Sequence, residues 1–551
     1  MYYRNFAWGR SKKHFRRADG WVEWLWIMGL LLAAVLLFTI NLGGSALRDW
    51  DEGTVALVAR DIWRAPVGSE RWLYPTLLGE PYLNKPPLMH WLIALAYSVG
   101  GVNEWTTRLP GAMLSAISVP LLYGIGREIF PQRLPAVFAS LIYLTMLPFV
   151  RHGRLAMLDG AVVCFFLFMM WCLLRSRRNL CYCLGVGIGF GLICFTKGIL
   201  GVLLGAIAFL FLLWDTPRLL TTGYLWVGIL IGSAPVALWY AAQWLHYGHS
   251  FTDTGIVNQS LRRIWASVED HGGPPWYYLL EILKYAWPWL VFLPQGLRKT
   301  WENRNLSWAK LVLVWSGVYL LIISLMGTKL PWYVLPIYPA IALAAGVQVS
   351  EVWNSPRRAS YPRLVVAFLA LLALGGWVGS FYYSPWSKAF DWEVQLILSA
   401  VAGTMTLAAV LAARGDRQFL WILFWGTYVS LVLLMTSRHW IWELAEASYP
   451  VKPVAAMIQR GTPVGKTIYT SYPLERRSLD FYSDRQIIPA ATSELQLHWQ
   501  QNRQPYLLLD ESTLGKLSLE FFERVGTAEN WTLITKNKNP TTASSPNKAH
   551  N

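Results

Sequence analysis

Cysteine is scarce in this sequence and is confined to its apolar part. The chain has 551 residues and five cysteines, which all lie in or beside apolar runs: Cys164, Cys172, Cys181, Cys183 and Cys194. One residue separates Cys181 from Cys183, whereas a zinc knuckle has a spacer of roughly two to four. This pattern argues against a disulfide framework and against a cysteine-based metal cage.

Charged side chains are also few, and the basic ones gather in short clusters. Charged residues make up 15% of the chain, against 54% hydrophobic residues and 32 tryptophans. Apolar runs of about 17 to 25 residues recur along most of the sequence, which is the length of helix that crosses roughly 30 Å of hydrocarbon. The net charge of +16 arises between these runs, so it indicates membrane topology and not nucleic-acid binding.

The apolar runs predict an α-helical polytopic membrane protein with about thirteen transmembrane helices. The expected spans are residues 22–42, 108–127, 134–150, 160–174, 180–195, 199–214, 224–244, 277–297, 308–326, 330–350, 363–384, 392–413 and 417–436. Residues 1–21 are basic, and no small-residue cleavage site follows the first run. We therefore expect a cytoplasmic tail over 1–21 and a transmembrane domain over 22–440.

The apolar segment at residues 86–101 decides which side of the membrane each loop faces. At about 1.5 Å per residue it spans only about 24 Å. If it crossed the membrane, the basic clusters after the later spans would all lie outside; if it lies in the interface, they all lie in the cytoplasm. We therefore predict an interfacial segment, a cytoplasmic N-terminus, and periplasmic loops at 43–107 and 245–276.

Residues 441–536 differ in character from the rest of the chain. Short strand-like stretches such as "GKTIYTSY" and "PYLLLD" alternate with helical or turn-like ones such as "LERRSLDFYS". This alternation predicts a small α/β domain, which the topology places on the outer face. Residues 537–551 are polar and of low complexity, so we expect a disordered tail.

Three carboxylates, Asp49, Asp51 and Glu52, stand at the start of the first outer loop. Asp51 heads a segment with helical apolar spacing, which predicts a helix that lies flat on the membrane. A carboxylate in this place can simply cap the helix, and that alternative stays open for Asp51. Asp49 and Glu52 are read as flanking or capping residues.

Asp159 follows "RHGRLAML" at the start of a span. A carboxylate near the hydrocarbon boundary is costly unless it is paired or functional. Arg151 and Arg154 are its expected partners, and a structural ion pair is the alternative to a role in a site.

Lysines stand on the outer face against the positive-inside bias. Lys85 precedes two prolines in "LNKPP", whereas Lys197 and Lys329 end spans in "TKG" and "TKLP". Cations and carboxylates on one face indicate a site for a phosphate or pyrophosphate. Tyr333, one helical turn beyond Lys329, would add a phenolic donor. The alternatives are a snorkelling lysine at Lys85 and an interfacial belt residue at Tyr333.

His271, in "EDHGGPPWYY", has acidic neighbours at Glu269 and Asp270. This grouping makes His271 a candidate ligand for a divalent metal, although a lone loop histidine is more often solvated. The sequence requires no cofactor.

In these motifs the chain resembles the C-type-fold (GT-C) glycosyltransferases that use polyprenyl-phosphate sugars. It is most similar to the bacterial aminoarabinose transferases of lipid A and to the protein O-mannosyltransferase relatives. The similarity rests on Asp51-Glu52, "LNKPPLMHWL", "RLAMLD", "FTKG", "PPWYYL" and "GTKLPWYVLPIYPAIAL", in order over residues 48–345. Thirteen spans and an outer C-terminal domain are what the resemblance implies.

The resemblance implies that Asp51 is the catalytic carboxylate and Asp159 a second acidic residue of the site. It also implies that Lys85, Lys329 and Tyr333 contact the donor phosphate. The full set of candidates for catalysis is Asp51, Asp159 and Glu52, and the set for the donor phosphate is Lys85, Lys329, Tyr333, Lys197 and Arg154.

Three positions depart from the aminoarabinose transferase pattern. Asn84 stands where those enzymes carry an acidic residue associated with a metal, and Thr54 and Gly272 stand in place of arginines. These differences weaken the case for bound zinc and for lipid A as the acceptor, and they leave the reaction class intact.

The expected activity is transfer of a sugar from a polyprenyl-phosphate donor to a lipid, glycan or protein acceptor on the periplasmic face, with Asp51 as general base. No nucleotide-binding motif is present, and none is needed because the donor is already activated. We expect a monomer in the bacterial inner membrane, in contact with membrane lipid. The alternatives are a transporter or lipid flippase, which would carry ionisable groups at mid-membrane, and a non-catalytic sensor.

Overall fold

The computed structural model describes residues 17–268, 271–355, 363–444, 450–517, 519 and 521–537. Most of the predicted basic tail, and the predicted disordered tail beyond residue 537, lie outside the described residues.

Long apolar helices dominate the described chain. Eight of them are long and apolar enough to cross a membrane, or nine if a pair bent by 57° counts as one span. The eight are Gly20–Thr39, Glu104–Ile129, Gly223–Tyr247, Ser307–Leu325, Pro331–Asn354, Arg363–Tyr382, Trp392–Ala413 and Phe419–Thr436, and the bent pair is Arg133–Leu144 with Leu147–Arg154. The helical membrane architecture is confirmed.

The predicted number of thirteen spans is not confirmed. Three predicted spans form helices of only 17, 16 and 16 residues: Asp159–Arg175, Tyr182–Lys197 and Leu200–Asp215. The predicted span 277–297 is divided into Tyr277–Tyr285, Trp289–Phe292 and Leu293–Glu302. Pro288 lies at this break, and a proline lacks the N–H that would continue the helix.

Short elements build the outer loops and the connections. In the first outer loop they are Asp49–Gly53, Thr54–Arg64, Glu70–Leu73, the paired strands Thr76–Leu77 and Glu80–Pro81, and Leu88–Gly100. In the second they are His249–Phe251, Thr252–Leu261 and Arg262–Trp265. Elsewhere they are Pro217–Thr221, Arg438–Trp440 and Trp442–Leu444. The apolar segment that decided the topology is the helix Leu88–Gly100, whose 13 residues are too few to cross the membrane alone.

The helix Thr54–Arg64, predicted to lie flat on the membrane, packs against protein on two faces. Its apolar residues Val55 and Ala59 pack against Met89 and Ile93 of the neighbouring helix. Its opposite face is covered by the C-terminal domain, so that Arg60, which donates to the carbonyl oxygen of Phe481, is only 4% exposed. The tertiary contact buries both faces because the domain lies on top of the loop.

The C-terminal domain, residues 450–537, is a five-stranded mixed sheet between two layers of helices. In spatial order the strands are Gln486–Pro489, Thr467–Thr470, Tyr506–Asp510, Trp531–Lys536 and Phe522–Ala528. The first three run parallel and the last two pair antiparallel. The helices are Val451–Gly461 and Arg477–Ser483 on one face, and Thr492–Gln501 and Glu511–Lys516 on the other.

The two strand-like stretches quoted above, "GKTIYTSY" and "PYLLLD", form the strands Thr467–Thr470 and Tyr506–Asp510, and the edge strand Phe522–Ala528 was not predicted. It is mostly exposed and lacks the apolar alternation by which a half-buried strand is recognised. The segment is a strand because its backbone pairs with Trp531–Lys536, and this pairing arises only in the folded domain.

Two of the membrane helices touch through glycine. Tyr182–Lys197 carries Gly187 and Gly191, and Gly223–Tyr247 carries Gly228 and Gly232, each pair four residues apart. A Cβ on Gly191 would lie 1.9 Å from the carbonyl oxygen of Gly232. Small residues at this spacing allow helix backbones to approach closely in lipid, so van der Waals packing holds the two helices together.

We predict that Gly191→Ala destabilises the protein by about 1–3 kcal/mol, because the added methyl group forces the two backbones apart. Gly375→Ala is the matched control, since a Cβ there meets no atom within 4 Å. Thermal unfolding of both purified variants in detergent, followed by tryptophan fluorescence, measures the difference. Equal midpoints would contradict the packing described here.

Candidate functional site

Asp51 lies in the single π-helical turn Asp49–Gly53, immediately before the helix that begins at Thr54. It does not cap that helix, because Gly53 holds the N-cap position and no side chain bonds to the exposed N–H groups. Its carboxylate is half-buried and makes no hydrogen bond or ion pair to any described residue. Burial raises the pKa of Asp51, Arg48 opposes the shift, and Asp159 adds to it.

Asp159 begins the helix Asp159–Arg175 and is 5% exposed. Its partner is neither of the predicted arginines but Lys197, whose Nζ lies 2.6 Å from Oδ1. Lys197 ends the neighbouring helix Tyr182–Lys197, so the ion pair joins the start of one apolar helix to the end of another. The structure thus brings Asp51, Asp159 and Lys197 into one electrostatic group.

Lys85 lies in the loop before the helix Leu88–Gly100, and its side chain reaches the same group. It is half-buried, and its ammonium makes no hydrogen bond or ion pair within the described part of the chain. Burial, together with the nearby cations Lys197 and Arg263, lowers the pKa of Lys85 to about 7. Asp159 and Asp51 partly offset this effect. A cation in this environment gains stability from any anion that approaches it.

Tyr333 lies beside Lys197 and Arg263. Its ring centroid is 5.5 Å from the Nζ of Lys197, and its hydroxyl accepts a 3.4 Å hydrogen bond from Arg263. Arg263 comes from the short helix Arg262–Trp265 in the second outer loop. Two loops, which carry Lys85 and Arg263, and two helical segments, which carry Lys197 and Tyr333, therefore meet here.

Glu52, one of the predicted catalytic residues, is fully used in holding the loop. It is 0% exposed, and the Arg108 guanidinium binds both of its oxygens, at 2.7 and 2.8 Å. The backbone N–H groups of Ala156 and Arg48 donate to the same carboxylate. Burial would raise the pKa of Glu52, but Arg108 and these donors lower it below its usual range. These contacts argue against a catalytic role for Glu52.

Arg154 does not face the site either. It is 0% exposed, and its guanidinium donates to the carbonyl oxygens of Leu37 and Ile40, both at 2.6 Å. Its Cζ lies 4.6 Å from the centroid of the Trp440 ring. Arg154 thus holds the first membrane helix against Trp440, which lies in the linker that leads to the C-terminal domain. These contacts argue against a role for Arg154 in binding the donor phosphate.

The ammonium of Lys329 is also bound to the protein itself. It is 4% exposed, and its ammonium donates to the carbonyl oxygens of Ile323 and Ser324, at 3.0 and 2.6 Å. Burial lowers its pKa. A phosphate could reach this ammonium only if the carbonyl contacts opened, so Lys85 is the better placed of the two lysines.

His271 is exposed, and the residues that were expected to help it hold a metal, Glu269 and Asp270, lie outside the described residues. Its carbonyl oxygen accepts from the N–H of Lys329 at 2.7 Å, which joins the second outer loop to that span end. The histidine ring has no carboxylate, histidine or cysteine close enough, among the described residues, to complete a group of three metal donors.

The described residues do contain one such group elsewhere: Asp391, Glu393 and His439, with donor atoms within 4.8 Å of one another. Arg438 donates to Asp391 at 2.6 Å and lies 3.8 Å from Glu393. The guanidinium therefore supplies the positive charge that a metal ion would otherwise supply. The group reads as an ion-pair network that joins the helix Trp392–Ala413 to the linker.

Three residues of the site and its support were missed in the sequence. Two of them are Arg263 and Tyr82. Tyr82 is 5% exposed, and burial raises the pKa of its hydroxyl, with a further contribution from the nearby Asp51 carboxylate. Arg108, the partner of Glu52, is the third. Tyr82 precedes "LNKPP" directly, which is a weak signal, but nothing local marks Arg108, whose partner is 56 residues away.

Comparison with known proteins bears on the same part of the chain. Residues 84–240 match the family described as dolichyl-phosphate-mannose-protein mannosyltransferase. An uncharacterized protein of Aquifex aeolicus is 26% identical over 468 residues, which are 83% of this chain and 87% of that protein. An undecaprenyl phosphate-alpha-4-amino-4-deoxy-L-arabinose arabinosyl transferase of Pseudomonas fluorescens is 26% identical over 332 residues, 58% of this chain and 59% of the enzyme.

The fold is that of a solved structure, ArnT from Cupriavidus metallidurans bound to undecaprenyl phosphate. The TM-score is 0.75 at 18% sequence identity, with 94% of this chain and 98% of that chain covered. The chain is a glycosyltransferase with this fold, and its sequence is similar to those of the aminoarabinose transferases and, over residues 84–240, of the protein mannosyltransferases. This glycosyltransferase is a multi-pass protein of the bacterial inner membrane.

We predict that Arg108→Ala destabilises this glycosyltransferase by roughly 3–5 kcal/mol, because it leaves the Glu52 carboxylate buried without its counter-ion. Arg64→Ala is the matched control, since Arg64 is 45% exposed in its pair with Asp484 and such pairs contribute about 1 kcal/mol or less. Chemical denaturation of the two variants measures both losses. Equal losses would show that the Glu52–Arg108 pair is not a buried anchor.

Proposed function

We propose that this glycosyltransferase transfers a sugar from a polyprenyl-phosphate donor to an acceptor hydroxyl on the periplasmic face of the membrane, with Asp51 as general base. One observation carries the proposal. The carboxylate of Asp51 and the ammonium of Lys85 are both half-buried, lie in one electrostatic group, and have no hydrogen-bond or ion-pair partner among the described residues. A base and a phosphate-binding cation are thus left available in one electrostatic group.

The reaction is a displacement at the anomeric carbon of the sugar. The Asp51 carboxylate takes the proton of the acceptor hydroxyl while the oxygen of that hydroxyl bonds to the anomeric carbon. The bond from that carbon to the phosphate oxygen breaks, and its electron pair leaves with the polyprenyl phosphate. General-base catalysis of this kind contributes about 10²- to 10⁴-fold.

Three groups are placed to bind the leaving phosphate. Lys85 offers a free ammonium, and Arg263 and Tyr333 offer N–H and O–H donors from the facing loop and helix. Negative charge grows on the phosphate as the bond breaks, so donors already fixed around it stabilise the transition state. Donors of this type also fit the undecaprenyl phosphate named for the ArnT structure.

The Asp159–Lys197 pair supports the base without taking its place. Lys197 is paired with Asp159. Burial raises the pKa of Asp51, the Asp159 charge adds to this rise, and the Lys197 charge opposes it. A carboxyl with a raised pKa is a stronger base once it is ionised. Asp159 thus tunes the base, whereas Asp51 contacts the acceptor.

We place this site and the C-terminal domain on the periplasmic side, with the N-terminus in the cytoplasm, on the evidence of the basic clusters between spans. A monomer suffices because the described candidate groups come from one chain. The acceptor is a lipid, glycan or protein. A transporter is not favoured, since the candidate groups lie at the outer ends of spans and in outer loops.

We expect Asp51→Asn to reduce transfer at least about 100-fold while the protein stays folded, because the amide cannot accept the proton. Asp61→Asn is the matched control, since Asp61 lies in the adjoining helix and only accepts a 3.2 Å bond from Thr76.

The assay follows release of undecaprenyl phosphate from an undecaprenyl-phosphate-linked sugar, a product common to every sugar. Membranes with the wild-type protein and with each variant are compared. Full turnover by Asp51→Asn would remove Asp51 from the role of base.

We expect a bell-shaped dependence of kcat/KM on pH. It rises as Asp51 loses its proton, at a pH above the usual range for aspartate because the pKa is raised. It falls as the pH passes about 7 because Lys85 then loses the charge that binds phosphate. In Lys85→Arg the guanidinium stays protonated, so the alkaline limb moves upward. An unchanged alkaline limb in that variant would exclude Lys85 as its source.

A further inference from the structure

We infer that the helix Arg477–Ser483 of the C-terminal domain, here called the clamp helix, positions the Asp49–Gly53 turn that carries Asp51. This inference rests on the proposed function, because it takes Asp51 as the general base. It assigns Asp49 and Ser478 as positioning residues and gives the C-terminal domain a part in the reaction.

The first contact is made at Asp49, two residues before Asp51. One oxygen of Asp49 accepts from the backbone N–H of Ser478 at 3.1 Å and also from the Ser478 hydroxyl. The other accepts from the Nε of Arg476 at 3.4 Å. Asp49 is mostly shielded, and its partners lie more than 420 residues away in the chain. A carboxylate with several donors from one short segment fixes the turn to that segment.

The second contact is made at Gly53, two residues after Asp51. Gly53 is buried, and a Cβ there would lie 2.7 Å from the backbone N of Ser478 and 2.8 Å from the carbonyl carbon of Arg477. The turn and the clamp helix therefore touch backbone to backbone. No side chain larger than hydrogen fits at position 53 without moving one of them.

Further contacts hold the segments on either side of the turn. Before it, the backbone N–H of Leu47 donates to the hydroxyl of Tyr482 at 2.9 Å. After it, Arg60 donates to the carbonyl oxygen of Phe481 at 2.8 Å. Both partners belong to the clamp helix, so one seven-residue helix touches the loop before, within and after the turn.

The side chain of Asp51 has no hydrogen-bond or ion-pair partner among the described residues, so the backbone of the turn determines from which point its carboxylate reaches into the site. The Glu52–Arg108 pair holds that backbone from the membrane side, and the clamp helix holds it from the domain side. A displacement of about 1 Å in a reacting group costs on the order of 100-fold in rate. Loosening the clamp should therefore lower the rate of the chemical step and leave donor binding at Lys85 unchanged.

The test compares kcat and KM for the donor in full-length variants, with release of undecaprenyl phosphate as the readout. We expect Asp49→Ala to lower kcat about 10- to 100-fold with KM changed less than about twofold. Asp49→Asn keeps an acceptor oxygen for Ser478 and should restore most of the rate. Gly53→Ala separates the same surfaces without removing a hydrogen bond and should lower kcat in the same way.

Asp510→Ala is the matched control. Asp510 bonds to Ser471, Ser512 and Thr513 on the far side of the sheet, so its loss perturbs the domain without touching the turn. An unchanged kcat in this control, with a loss in Asp49→Ala and Gly53→Ala, supports the positioning role. Equal losses in Asp510→Ala and Asp49→Ala would show that only domain stability matters and would overturn it.

Failure of this inference differs from failure of the proposed function. If Asp51→Asn is inactive but Asp49→Ala and Gly53→Ala turn over like the wild type, the clamp helix has no positioning role. If Asp51→Asn turns over fully, the general base lies elsewhere and both proposals are overturned.

Discussion

The ion pair between Glu52 and Arg108 is the contact on which the outer face depends. Both side chains are 0% exposed, and Arg108 also donates to the carbonyl oxygens of Leu42, Ser45 and Ala46. One guanidinium on the helix Glu104–Ile129 therefore fixes the whole chain segment that leads from the first membrane helix to Asp51. Two buried charges are costly to desolvate, and the cost is offset here because the donors and acceptors of both groups are satisfied.

The same guanidinium joins the C-terminal part of the chain to this centre. Trp440, in the linker that follows the last membrane helix, lies between Arg108 and Arg154, with ring centroids 5.0 and 4.6 Å from the two Cζ atoms. Beyond the linker, the C-terminal domain returns to the loop through the clamp helix. The backbone of the turn that carries Asp51 is thereby held from two sides, by Arg108 and by the clamp helix.

Lysines that look alike in the sequence differ in the structure by the partners that their ammonium groups bind. Lys197, Lys329 and Lys85 all stand at outer ends of spans or in outer loops, yet the first is paired with Asp159 and the second is held by two carbonyl oxygens. Lys85 remains, with its pKa lowered to about 7 by burial and by neighbouring cations. An anionic ligand would relieve that repulsion, which is why the availability of Lys85, and not the number of lysines, supports a phosphate site.

The sequence by itself determined the membrane class, the α/β character of the C-terminal domain and the motifs that surround the site, because hydrophobic length, strand alternation and short motifs are local properties. It also placed Asp51, Asp159 and Lys85 on one face, since charge bias orders the loops. Only the tertiary structure decided which partner each charged group binds: Glu52 binds Arg108, Asp159 binds Lys197, and Arg154 binds backbone carbonyl oxygens. Those pairings join residues far apart in the chain, and no local pattern specifies them, because a charge chooses its partner by distance and burial in the folded protein.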